Sequence, residues 1–144
     1  MTTVLIIDDE AAIRLLCRVN LEAEGLRVLE ASDGRSAVDE AFAGRPDAIL
    51  LDIMMPGPDG WQVAERLLED ERTSEIPIVF LTARAGLRDR SRGLDLGGLA
   101  YVTKPFNPLE LASLVEELIA RVGRGEGEAL RREKLAELRE LIEH

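Results

Sequence analysis

The chain has 144 residues, 46% of them hydrophobic, which suits one compact domain burying about 70% of its unfolded surface and leaves too little for two full domains. A formal net charge of −10 and a pI near 4.6 argue against direct nucleic-acid or anionic-membrane binding by this chain, because either surface would repel it at long range. Its single cysteine, Cys17, falls inside a helical apolar pattern, so no disulfide or cysteine-metal framework is available and a reducing, cytoplasmic setting is expected. Asp8, Asp9 and Glu10 cut the first apolar run short and no run approaches about 18 apolar residues, so neither a signal peptide nor a membrane span is expected.

Short runs rich in Val, Ile and Leu alternate with helical patterns, which predicts βαβ units and a parallel sheet. A strand over about 3–7 ends at Asp8-Asp9, and the helix after it, about 10–24, is closed by Gly25. A second strand, about 26–31, leads to Asp33-Gly34, which opens a helix over about 34–43. The third strand, about 47–51, ends at Asp52, and Pro56-Gly57-Pro58-Asp59-Gly60 separates it from a helix over about 60–70. Pro77 restarts the chain as a strand over about 77–81 that ends at Thr82, with a helix predicted over about 85–96. The last strand, about 100–103, ends at Lys104. Asn107 can cap a helix over about 107–122, with Pro108 in its first turn and Glu110 at the third helical position. The runs at 3–7, 47–51 and 77–81 are the most apolar, hence the most central.

Gly123-Arg124-Gly125-Glu126-Gly127 breaks the chain, and Glu128 to His144 then reads as a polar helix with Leu135, Leu138, Leu141 and Ile142 on one side. The Glu128–Arg132 pair adds only a few tenths of a kcal/mol, so this appendage needs a surface to pack on: its own domain or the helix of a second copy, in a homodimer.

In a parallel α/β sheet the carboxyl ends of the strands form the ligand crevice, so Asp8, Asp9, Asp52, Thr82 and Lys104 can converge there. Carboxylates crowded into one apolar crevice repel each other unless a divalent cation or a buried lysine neutralises them. Asp8 and Asp9 can offer oxygens to Mg²⁺, and Asp52 can share that ion while acting as a nucleophile toward phosphorus, giving an acyl phosphate. The Thr82 hydroxyl and Lys104, with the metal, can then take up the phosphoryl oxygens. Lysine is scarce, with only Lys104 and Lys134 among eighteen basic residues, which suggests that the point charge at this strand end is not replaceable by the arginine fork. A single Asp-Asp pair is more often a helix cap or a solvated loop, and Lys104-Pro105 can be an ordinary turn or a cis bond that aims the lysine inward.

The runs VLIIDDE, ILLDIMMPGPDG, IVFLTA and YVTKPF, in this order and spacing, resemble the receiver domain of two-component response regulators over roughly residues 3–122. The resemblance implies a flavodoxin-like (βα)5 doubly wound parallel sheet of order 2-1-3-4-5, here with an extra C-terminal helix, so that 1–122 is the receiver and 123–144 a glycine-containing linker and helix. It implies Asp52 as phosphoacceptor, a histidine kinase or phosphotransfer protein as donor, and Mg²⁺ held by Asp8, Asp9, Asp52 and the backbone carbonyl of Met54. Thr82, Ala83, Lys104 and Tyr101 match the phosphate-binding and switch positions. The chain would then be a phosphorylation-activated switch and not an enzyme, catalysing only its own phosphoryl transfer and autodephosphorylation.

Met54 with Arg84 and the run LTARAG are similar to the winged-helix transcription-factor branch, whereas Leu99-Ala100 replaces that branch's acidic pair and Glu110, Glu116 and Glu117 replace its basic side chains. These departures argue against its usual salt-bridged dimer, and no DNA-binding domain is read in this sequence. The alternative is an aspartate-nucleophile phosphatase of the haloacid-dehalogenase-like class, disfavoured because Met54 stands where that class usually carries a second aspartate. A flavin- or nucleotide-binding module is weaker still, since Asp8-Asp9-Glu10 would repel phosphates.

Overall fold

The computed structural model describes residues 1–83, 98 and 100–143, and the side chains of Thr82, Leu138 and 141–143 lie outside the description. Five parallel strands, β1 (Thr3–Ile7), β2 (Arg27–Ala31), β3 (Ala48–Asp52), β4 (Ile78–Thr82) and β5 (Ala100–Thr103), form one sheet of order β2-β1-β3-β4-β5. β1, β3 and β4 are central, as their unbroken apolar runs predict, since a strand covered on both faces has no solvent side to mark with polar residues. The described helices are α1 (Ala11–Ala23), α2 (Gly34–Gly44), α3 (Gly60–Glu69), α4 (Pro108–Gly123) and α5 (Gly127–Glu143). The helix predicted over 85–96, with Arg84 and Leu99, lies outside the described residues.

Alternate residues of each central strand face opposite helical layers. Val4, Ile6, Leu50, Val79 and Leu81 pack with α1 and α4 through Cys17, Leu21, Leu111, Val115 and Leu118. Leu5, Ile7, Ile49, Leu51, Ile78 and Phe80 pack with α2 and α3 through Val38, Ala41, Trp61, Val63 and Leu67. Each such aliphatic side chain withdrawn from water contributes about 1.5–3 kcal/mol, and these two layers fix the strand register on which the site depends.

Turn and cap chemistry sets the element boundaries. The Asp33 carboxylate accepts the Ser36 N–H at 2.8 Å, and Asp59 with Gln62 forms a reciprocal capping box at the start of α3. Asn107 accepts the Leu109 N–H at 3.0 Å at the start of α4, with Pro108 in the first turn. Gly60 lies against the Asp52 carbonyl and the Ile53 Cα so closely that any Cβ there would collide with backbone. Only glycine lets α3 begin directly beneath the end of β3.

The amphipathic face read on the C-terminal segment is only part of what holds it. Leu130 is buried in the layer shared by α1 and α4, Leu135 is half-buried, and the remaining predicted apolar residues have side chains outside the description. Arg121 of α4 grips Glu133 of α5 with both terminal nitrogens, at 3.0 and 3.1 Å. The first turns of α5 therefore fold back on the domain that precedes them.

Candidate functional site

β1, β3 and β5 each end at the same edge of the sheet, and each delivers one charged side chain to it. Asp8 follows β1 and is fully buried; its N–H donates to the Ala31 carbonyl of β2 at 3.1 Å, and its carboxylate accepts the Glu10 N–H at 2.9 Å. Asp52 is the last residue of β3, where the sequence places the strand's end, is only 2% exposed, and accepts the Met54 N–H at 3.0 Å. Lys104 follows β5, its bond to Pro105 is cis, and its Nζ lies 2.8 Å from Asp8 Oδ2, 3.3 Å from Asp52 Oδ2 and 3.4 Å from Glu10 Oε1. The three strand ends meet on one ammonium group.

Asp8, Asp9, Glu10 and Asp52 each place a carboxylate oxygen within 4.8 Å of the others. Glu10 is the member that sequence reasoning missed, because it reads as the residue that starts a helix; its extended backbone as N-cap of α1 turns its side chain back toward the cluster instead. The only signal available was the unbroken acidic triplet. Asp9 and Glu10 are exposed and Asp8 and Asp52 are buried, so the cluster is a crevice with a wet rim and a dry floor.

The electrostatics follow from that gradient. Burial raises the Asp52 carboxyl pKa above its ordinary value, with the Asp8 charge adding to the rise while the Met54 N–H and Lys104 oppose it. Burial disfavours the Lys104 ammonium, but its contacts with Asp8 and Asp52 outweigh that and raise its pKa. Lys104 contacts three of the cluster's four carboxylates, those of Asp8, Glu10 and Asp52. Among the described residues, the buried Asp8 Oδ2 meets only the Lys104 ammonium, which leaves an acceptor on the crevice floor for a second cation. An all-oxygen donor set with an open, hydrated rim fits Mg²⁺, a hard ion that keeps several of its waters.

The remaining predicted residues sit around this floor. Thr82 closes β4 in register with Thr103, and Ala83 after it is exposed. Met54 exposes its side chain beside Asp52, so what it offers inward is main chain. Tyr101 lies three residues before Lys104 on β5, half-buried, its ring 6.4 Å from that of Phe80, which in turn lies 5.2 Å from Trp61.

A sequence model described as the response regulator receiver domain matches residues 4–116. The chain belongs to this family. Among curated relatives, the receiver is 43% identical to the phosphate regulon transcriptional regulatory protein PhoB of Pseudomonas aeruginosa, over 88% of this chain and 56% of that protein. It is likewise 43% identical to the DNA-binding dual master transcriptional regulator RpaA of a Synechocystis species, over 86% of this chain and 52% of that one. The receiver thus spans about half the length of the curated relatives it matches. Among solved structures, the chemotaxis protein CheY4 of Vibrio cholerae superposes with a TM-score of 0.77 at 30% identity, over 81% of this chain and 98% of that one. A response regulator structure from Chloroflexus aurantiacus gives 0.79 at 32% identity, over 83% and 98%. Neither curated relative named here is a phosphatase, and the haloacid-dehalogenase-like alternative finds no support. No described helix is long and apolar enough to cross a membrane.

Proposed function

We propose that this receiver is a phosphorylation-controlled switch in which Asp52 accepts a phosphoryl group from the phosphohistidine of a kinase or phosphotransfer protein. The observation that carries the reading is the single Lys104 ammonium held between Asp8 and Asp52 at the carboxyl ends of three strands. In the transfer, an Asp52 Oδ–P bond forms as the donor's P–N bond breaks, and the imidazole leaves with the electron pair. Asp8, Asp9, Asp52 and the Met54 carbonyl are the groups that would hold Mg²⁺, which when bound supplies charge neutralisation for the phosphoryl oxygens.

This chain's own residues do the rest. The Met54 N–H on Asp52 Oδ1 orients the carboxylate so that its other oxygen faces the crevice. Lys104 then exchanges part of its contact with Asp52 for a phosphoryl oxygen, which carries more charge. The Ala83 amide and the Thr82 hydroxyl are assigned to the remaining oxygens, and the inward draw of Thr82 gives Tyr101 room to move from half-buried to buried. The new charge on Asp52 is thereby read out as a change of surface on β5 and α4. In this reading the chain turns over nothing but its own phosphoryl group.

The direct test is mass spectrometry after incubation with acetyl phosphate and Mg²⁺. An adduct of about 80 Da is expected on the parent chain and absent from Asp52→Asn. Equal adducts on both chains would overturn the assignment of Asp52.

A further inference from the structure

Arg14 sits in the first turn of α1, where the helix dipole disfavours a cation, and directly behind the acidic crevice, yet its side chain is only 18% exposed. Two partners explain its position. Its Nε lies 3.2 Å from Glu30 Oε1 on β2, and its Nη1 donates to the Asp8 carbonyl at 2.7 Å. Glu30 is itself held on its other oxygen by Arg18 Nε at 2.8 Å, and Arg18 also reaches the Val28 carbonyl. Glu30 thus offsets part of the Arg14 charge while sharing its carboxylate with Arg18.

The Asp8 carbonyl belongs to the peptide group joining Asp8 to Asp9. Asp8 is already pinned by its N–H to Ala31 and by its carboxylate to the Glu10 N–H, whereas among the described residues the exposed Asp9 side chain makes no hydrogen bond or ion pair. The plane of that peptide therefore helps to set the direction in which Asp9 leaves the backbone. We propose that Arg14, oriented by Glu30, is a positioning residue that fixes the Asp8–Asp9 peptide plane and so sets the affinity of the acidic crevice for a divalent cation. The inference rests on the reading of Asp8 and Asp9 as metal-holding residues, and it adds a residue outside the carboxylate set that tunes them. Residues behind a metal site act this way in general, by holding the ligating groups in geometry that costs nothing to reorganise on binding.

The test is titration calorimetry of the full chain with Mg²⁺ alone, well below the melting temperature, beside urea denaturation in metal-free buffer. Arg14→Ala is expected to weaken Mg²⁺ binding about tenfold, the low end for loss of such a supporting contact. Arg14→Lys, which keeps one donor but not the fork, should recover part of the loss, and Glu30→Gln, which keeps the acceptor without the charge, should lose less than Arg14→Ala. Arg18→Ala shares the network but makes no bond to Asp8, and should leave the Mg²⁺ dissociation constant within about twofold of the parent. If Arg14→Ala lowers metal-free stability while the Mg²⁺ dissociation constant stays unchanged, Arg14 is a brace between α1 and β2 and the inference falls. Equal weakening by Arg18→Ala and Arg14→Ala would also overturn it. Asp9→Asn separates the two levels: if it too binds Mg²⁺ like the parent, the metal reading itself has failed.

Discussion

Burial holds the Asp52 carboxyl above its ordinary pKa, with Asp8 repulsion on the same side and the Met54 N–H and Lys104 on the other. A carboxyl raised in the folded state stabilises the fold fully below its unfolded pKa of about 3.9, and that contribution is lost as pH rises through the folded value. At neutral pH and without metal, ionised Asp52 is therefore a cost to the fold. Asp52→Asn, which removes the charge and keeps the shape, should be more stable than the parent in metal-free urea denaturation at pH 7. The margin should narrow as pH falls through the raised folded value and close below the unfolded pKa of about 3.9, where the carboxyl is protonated in both states. A margin that is absent at pH 7, or that widens on acidification, would show that Lys104 already compensates the site in full. Without metal, such a cost is what the proposed phosphoacceptor is expected to carry, since the opposing charge arrives only with the ligand.

Among the elements, α1 and α5 depart furthest from the plain layered sheet. α1 buries Cys17 and Leu21 but leaves Leu15 and Val19 more than half exposed, and Met54, on the loop after β3, and Leu109, in the first turn of α4, are exposed as well. Single exposed apolar residues are ordinary, whereas several on elements that border one crevice mark a surface for a partner. On the function proposed above, a phosphodonor that reaches Asp52 is expected to contact this face. Leu15→Asp should slow phosphoryl transfer from a histidine kinase that phosphorylates the parent chain, by about tenfold for a loss near 1.4 kcal/mol, and leave labelling by acetyl phosphate unchanged. Equal slowing with both donors would place the defect in the crevice and not in docking. α5 is different in kind, because its described foothold includes the buried Leu130 and the bidentate Arg121–Glu133 ion pair. Leu130→Ala should cost about 2–4 kcal/mol in urea denaturation, as truncation of a buried leucine does, while Glu133→Ala, on an exposed partner, should cost well under about 1 kcal/mol. Reversal of that order would mean that the helix is held by charge.

At the scale of the whole molecule, what was legible in the sequence was whatever depends on a single strand or turn. Continuous apolar runs ending in Asp8, Asp52, Thr82 and Lys104 mark strands and their carboxyl ends, and the parallel sheet then forces those ends together. The caps at Asp33, Asp59 and Asn107 are legible because a cap is a local bond across two or three residues. Glu10 and Arg14 were not legible as site residues, since their contacts span from the Asp8 backbone to Lys104 and Glu30 and depend on side-chain directions set by packing. Leu130 was hidden for a related reason: it is the isolated apolar residue in a charged turn, and its burial is decided by the neighbouring layer and not by any pattern in α5.

That hidden contact bears on how the molecule is divided and how it assembles. We propose that residues 1–122 fold without the segment 123–144, because every described side chain of the two layers except Leu130 comes from residues 1–122. The chain ending at Val122 should therefore unfold cooperatively, with stability lowered by about the 2–4 kcal/mol assigned to Leu130. Beyond Leu130, Leu135, Leu138 and Ile142 recur at heptad-like spacing across barely two heptads, too short a seam to hold a coiled coil on its own. With its first turns already committed to the receiver, α5 is expected to stay on its own domain. Light scattering of the full chain and of the chain ending at Val122, each with Mg²⁺ and with or without beryllofluoride, should give a monomer mass for both without the phosphoryl mimic. Any mass increase with beryllofluoride should then appear in both chains alike, placing the interface on the receiver. A dimer mass confined to the full chain would show instead that α5 exchanges its own domain for the helix of a second copy.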